Sequence, residues 1–308
     1  MACCPEHVCH PEPFDFAQDK LREGSAFLLV ALAAALLMPS TAFAQVEEKD
    51  LDTPYVPTPQ VVVDRMLELA AVKPGDKVID LGSGDGRLVI TAAQRYGAQG
   101  FGVELDPRLV QRSNDAARRA GLADRVKFLQ QDLFKTDFGA ANVLTLYLLP
   151  DVNMALRPKI LADMRPGARV VSHDYGMRDW HPDAEETIAA PDKTVGMRKE
   201  SKVYLWIVPA TVAGDWELEI DTGGKRQRMP LSLTQQYQML WGTVGVSGGK
   251  VPISDGKLRG EELRMTLPGG IAGSEPLELV GRAAGDRLSG TARRLDREVA
   301  TWSAHRRM

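Results

Sequence analysis

The order of elements in this chain predicts a doubly wound α/β sheet followed by a small all-β barrel or sandwich. Three observations carry that reading. Strand-like apolar runs alternate with helical periodicity as far as Val208. Asp80, Glu104 and Asp132 each end one such run, 24 and then 28 residues apart, a spacing that suits strand, helix and return strand. It carries all three acids to one carboxyl edge of a parallel sheet, where ligands bind. Beyond Pro209 the pattern changes to short alternating runs separated by glycine turns.

Residues 45–57 are charged and then proline-punctuated, a linker into the first domain at 58–208. A helix is expected next, with Thr58 as its cap, Pro59 in its first turn, and Val62, Val63, Met66, Leu67 and Ala70 on one face. Strands follow at Lys77 to Leu81, Gly100 to Glu104, Val126 to Leu129, Asn142 to Leu149 and Ala168 to His173. Helices separate them from Leu88 to Tyr96, ending at Gly97, and from Asp106-Pro107 to Gly121. Met154 to Met164 reads as helix, with Pro158 starting or breaking a turn inside it. Glu185 to Ala190 and Lys202 to Val208 complete the sheet. Residues 209–308 hold seven strand-like runs, and GKLRGEELRM and AGDRLSGTAR read as two copies of one hairpin unit.

The amino-terminal 44 residues differ in kind. Lys20 and Arg22 precede an apolar run of 13 residues, Ala26 to Met38, and a small-residue exit ending at Ala44. This is the layout of a signal peptide cleaved after Ala44, preceded by an upstream extension, and the run is short of the ~20 residues of a membrane span. An exported protein without a stable span is therefore expected, with a cytoplasmic or anchored one as the alternative if the segment is retained. Cys3, Cys4 and Cys9, with His7 and His10, lack metal-site spacing and fall inside this segment. The remaining chain would hold 36 Lys/Arg and 36 Asp/Glu, a balance without a global pull toward nucleic acid.

Gly82, Gly84 and Gly86 form a G-x-G-x-G turn directly after a strand and before a helix, where the backbone can approach a ligand. The third glycine is placed differently from that of the nicotinamide fingerprint G-x-G-x-x-G, which disfavours a dehydrogenase. Glu104 is placed to accept from two ribose hydroxyls, and Asp132 from an exocyclic adenine amine.

DLGSGDGR, GVELDP and QDLF together resemble the class I, Rossmann-like methyltransferases that use S-adenosyl-L-methionine. With the upstream PYVPTPQVVVDRMLEL the resemblance extends to the protein-lysine methyltransferase group that includes the mitochondrial enzymes modifying the ATP synthase c subunit and the adenine nucleotide translocator. The resemblance implies that Tyr55 and Thr58 help close the cofactor site. It implies that Asp80 with Gly82, Ser83, Gly84 and Gly86 holds the methionine part, Glu104 the ribose, and Asp132 with Leu133 the adenine. LTLYLLPDVN and SHDYGMRDWHPD depart from the lysine enzymes where the methyl group should lie. Methyl transfer from a sulfonium is an in-line displacement that mainly needs an aligned, neutral nucleophile. Tyr147, Asp174, Tyr175 and Trp180 are the candidates to desolvate and orient an amine, while His173, at the end of a buried strand, reads as a structural histidine. The acceptor is unassigned, with a protein side chain such as lysine as the candidate. The competing reading is an exported binding or assembly protein whose methyltransferase-like domain has lost catalysis.

Overall fold

The structure, a computed structural model, describes residues 55–307 apart from 223, 272 and 273. The apolar run, its cleavage site and the linker as far as residue 54 lie outside the described residues. No helix among the described residues is long and apolar enough to cross a membrane.

Seven strands form the first sheet: β1 (Lys77–Leu81), β2 (Gln99–Glu104), β3 (Val126–Gln130), β4 (Val143–Leu146), β5 (Arg169–His173), β6 (Ala184–Ala189) and β7 (Glu200–Ile207). Their order is β3-β2-β1-β4-β5-β7-β6, with β1 to β5 parallel and β7 antiparallel to both neighbours. Expected boundaries agree within one or two residues except for β4, which ends three residues early at Leu146 so that Tyr147 to Leu149 leave the ladder at its carboxyl end.

Period-two alternation divides β1 between two cores. Val78 packs with α1 (Gln60–Leu69) and α2 (Arg87–Tyr96). Ile79 and Leu81 face the opposite layer, with Val152, Leu156 and Ile160 of α4 (Pro150–Asp163). α3 (Pro107–Arg119) covers β2 and β3 through Ala117, Val126 and Phe128. Asp106 caps α3 by accepting from the Arg108 amide at 2.8 Å.

Two local expectations need correction. Thr58 does not cap α1: the cap residue is Pro59, and the Thr58 hydroxyl instead faces His173 Nδ1 at 3.4 Å. Pro158 neither starts nor breaks a turn, since α4 runs through it. The buried face of Val152, Leu156 and Ile160 outweighs the roughly 3 kcal/mol that an interior proline costs. No helix joins β5 to β6, so the opposite layer is completed by Trp180, Trp206 and Met177.

The second part closes into a barrel. β8 (Gly214–Thr222), β9 (Lys225–Gln236), β10 (Met239–Val246), β12 (Ser254–Arg259), β13 (Glu262–Leu267), β14 (Leu277–Ala284), β15 (Arg287–Arg294) and β16 (Arg297–Arg306) pair antiparallel around a ring completed by β10 against β9. Closure removes the sheet edges that would otherwise invite association. The run Lys257 to Leu267 is two strands, and β11 (Gly249–Pro252), unforeseen in the sequence, adds to β10 outside the ring. The two proposed hairpin copies are indeed two-residue turns, Gly260-Glu261 and Gly285-Asp286. Trp216, Leu218, Ile220, Leu263, Met265 and Leu279 lie in one buried cluster that is separate from those of the sheet.

Gly86 precedes α2 with φ 80°, and a Cβ there would stand 2.5 Å from the Phe128 ring and 2.9 Å from Ser113 Cβ. Both neighbours are buried. Gly86→Val should therefore cost roughly 2–4 kcal/mol of stability. A urea midpoint equal to the parent's would contradict this packing.

Candidate functional site

A cavity of ≈ 750 Å³ opens at the carboxyl ends of β1, β2, β3 and β4. That is within the size range of small-molecule sites. Of the expected cofactor residues, Tyr55, Thr58, Asp80, Gly82, Ser83, Gly84, Glu104, Asp132 and Leu133 line it. Gly86 does not; it serves the turn and the packing against β3.

Asp80 is buried and accepts from the Thr145 hydroxyl at 2.6 Å. Desolvation, with smaller contributions from the Glu104 and Asp85 charges, pushes its pKa up to about 7, against the pull of the Thr145 hydrogen bond. Glu104 is tied to the glycine turn: one oxygen accepts from the Gly84 amide at 3.0 Å, the other from the Leu105 and Asp106 amides at 2.7 and 3.1 Å. Asp132 opens the 3₁₀ turn Leu133–Lys135 by accepting from the Phe134 amide at 2.8 Å and pairs with Lys135 at 3.2 Å.

The segment carrying Tyr55 and Thr58 crosses the turn. Gly84 has φ 54°, and a Cβ on it would meet the Tyr55 ring at 2.5 Å, so the missing side chain makes room for the aromatic ring. Arg87 ties the segment down. It donates to the Thr58 carbonyl at 2.7 Å and grips Asp85 in two contacts of 2.8 and 2.5 Å. Burial pushes Asp85 up, and the Arg87 hydrogen bond and charge more than reverse that, so the carboxyl stays below its usual range. Asp85 was legible only as part of the turn, and Arg87 was missed. The acid and base two residues apart inside GDGR were the available signal.

Tyr147 lines the cavity just beyond β4. Its ring packs on His173 at 3.9 Å between centroids and stacks on Tyr175 at 6.3 Å. Desolvation first, then the Asp174 charge, raise the Tyr147 pKa well above the ordinary phenol value, so it remains a neutral phenol beside Asp174. Asp174 does not line the cavity. It stands behind Tyr147, paired with Lys193 at 2.7 Å. His173 is fully buried between Thr58 and Ser201, and burial lowers its pKa to about 4, which makes it a neutral structural imidazole. Trp180 departs from the sequence expectation. It is fully buried, away from the cavity lining, between Trp206 and Tyr237.

The donor set suits S-adenosylmethionine, a ligand with a cationic sulfonium, a ribose diol and an adenine amine. Asp80, Glu104 and Asp132 are acceptors spread along one wall, and the Ser83 hydroxyl is buried at the same wall without a hydrogen-bond partner among the described residues.

Because folding raises the Asp80 pKa, the ionised form costs stability. That cost is absent below pH about 4, grows as pH rises toward 7 and is full above it. Asp80→Asn, which keeps an acceptor for Thr145, should gain stability relative to the parent at pH 8, on the order of 1–3 kcal/mol, and little at pH 4. Urea melts at the two pH values check this, and a pH-independent difference would refute the buried-acid account.

The family described as the ANTKMT methyltransferase domain matches residues 80–184. A protein-lysine N-methyltransferase of Saccharolobus islandicus is 38% identical over 156 residues, covering 50% of this chain and 93% of that protein. An adenine nucleotide translocase lysine N-methyltransferase of Mus musculus is 36% identical over 159 residues, covering 52% of this chain and 68% of that one. Among solved structures, an RNA methyltransferase from Salinibacter ruber in complex with S-adenosyl-L-homocysteine shares 49% identity, with 51% of this chain and 96% of that chain covered and a TM-score of 0.46. With half of this chain covering almost the whole of one lysine methyltransferase, and the family match falling on residues 80–184, the chain belongs to the ANTKMT-type methyltransferase family and is an S-adenosylmethionine-dependent enzyme.

Proposed function

We propose that the methyl acceptor is the side-chain amine of a protein lysine, received at the Tyr147 end of the cavity. What supports this best is the kinship with lysine methyltransferases together with the family match over residues 80–184, which hold most of the cavity lining. When bound, the cofactor supplies an activated methyl group on a positive sulfur. Asp80 and the glycine turn are assigned to its methionine end, Glu104 to the ribose and Asp132 to the adenine.

Under this assignment the protein's own part is alignment and desolvation. An ammonium must lose its proton before it can attack, and a half-buried aromatic wall disfavours the charged form. The neutral Tyr147 hydroxyl keeps oxygen lone pairs to accept a hydrogen bond from the incoming amine and direct the amine's own lone pair along the transfer axis. Tyr175 backs that wall by stacking on Tyr147. Asp174, paired with Lys193, places its charge beside Tyr147 and helps keep the phenol protonated.

Incubating the enzyme with methyl-labelled cofactor and a lysine-rich protein, then hydrolysing the product, should place the label in methylated lysine. Label confined to alkali-labile esters or to RNA would refute the acceptor assignment. Glu104→Gln should weaken S-adenosylhomocysteine binding by ~10- to 100-fold, since a charge-assisted acceptor for the ribose becomes a neutral amide. Titration calorimetry giving equal affinities would remove Glu104 from the ribose site.

A further inference from the structure

The loop between β5 and β6 is held from two sides, and one of them is the barrel. Its first residues adjoin Tyr147 of the cavity lining, on which the Tyr175 ring stacks. α4 secures this part: Asn153 Nδ2 donates to the Tyr175 carbonyl at 3.2 Å, and Arg157 to the Met177 carbonyl at 3.0 Å. The tip is secured by the β9–β10 turn. Tyr237 Oη donates to Asp179 at 2.8 Å, the Tyr237 ring stacks on Trp180 with centroids 5.8 Å apart, and Gln238 Nε2 donates to the His181 carbonyl at 2.6 Å. Arg157 reaches the same point, pairing with Asp179 at 2.5 Å and lying 5.2 Å over the Tyr237 ring.

The turn itself carries an independent sign of this role. Tyr237 adopts φ 53°, a left-handed conformation that two-residue hairpin turns normally give to glycine, asparagine or aspartate. A large aromatic residue is a costly choice there for the barrel alone. Its contacts with Trp180 and Asp179 lie wholly outside the barrel and offset that cost.

We infer that the barrel forms part of the acceptor side of the enzyme, with Tyr237 as a positioning residue that holds the 174–183 loop, and through it Tyr175, against Tyr147. The cofactor wall lies on β1, β2 and β3 and is independent of this contact. Loss of the contact therefore loosens acceptor alignment and leaves cofactor binding intact. The inference rests on the lysine reading only for the choice of acceptor in the assay.

The test uses the full chain carrying Tyr237→Phe, which keeps the stack and loses the Asp179 hydrogen bond, and Tyr237→Asn, which suits the turn and loses both. Asp179→Asn is the conservative control, because its amide oxygen still accepts from Tyr237. Three quantities are measured: S-adenosylhomocysteine affinity by calorimetry, methyl transfer to poly-L-lysine, and amide exchange of residues 174–183 against residues 80–106. The expected result is an unchanged cofactor affinity, a kcat/KM for poly-L-lysine reduced about threefold to tenfold in Tyr237→Phe and further in Tyr237→Asn, and faster exchange confined to 174–183. Asp179→Asn should stay within about threefold of the parent. Unchanged transfer and exchange in folded variants would overturn the inference, as would a parallel loss of cofactor affinity. If the parent does not methylate poly-L-lysine, the acceptor reading fails, and the exchange comparison alone still decides the positioning role: acceleration limited to 174–183 upholds it, and none overturns it.

Discussion

β1 lies between β2 on one side and β4 on the other, and the rest of the site depends on that reversal of strand order. Strands that follow β1 in the chain step away in opposite directions, so their connecting loops part above its carboxyl end and leave a crevice. Asp80 sits on the strand that meets this crevice, and its burial beside Thr145 makes it a near-neutral acid poised to ionise. The glycine turn follows because only a chain without side chains can pass so close beneath a ligand. Glu104 and Asp132 are then delivered to the same rim by successive parallel neighbours.

The acids of this rim hold the protein together as well as facing the ligand. Glu104 satisfies three backbone amides, one in the glycine turn and two in its own turn, and Asp132 opens the 3₁₀ turn after β3. Asp85 is gripped by Arg87, which also donates to the Thr58 carbonyl and so fastens the segment before α1 across the turn. Such interlocking fixes the acceptor oxygens before a ligand arrives and lowers the ordering entropy that binding must otherwise supply.

The parallel strands were legible because each is a short apolar run bounded by glycine, proline or an acid, and a strand buried on both faces has no other pattern available. The three acids and the turn were legible for the same reason, since the strand end itself places them. An aromatic in a segment expected to border the methyl group carries no sign of what covers it, and so Trp180 was read as part of the site when it is a packing residue beneath Tyr237. The partner that explains its neighbour Asp179 lies 58 positions away on another sheet. Thr58 misled for a related reason: a threonine before proline at a helix start has the composition of a cap, but the buried His173 ring lies within reach of its hydroxyl. β11 escaped notice because a four-residue strand of glycine, lysine, valine and proline carries almost no alternation.

The turn at Tyr237-Gln238 also sets which changes of length the barrel can absorb. Gln236 pairs with Met239 across it, so one added residue would slip the β9–β10 ladder and turn its inward side chains outward. The same insertion would carry the Tyr237 ring away from a loop belonging to the other sheet. The turn at Ser247-Gly248 joins β10 to the short outer strand β11 and touches neither the ring closure nor the sheet domain. An added residue at Ser247 therefore leaves both halves undisturbed where one at Tyr237 disturbs both, which makes the β9–β10 hairpin a ruler between the two halves of the chain.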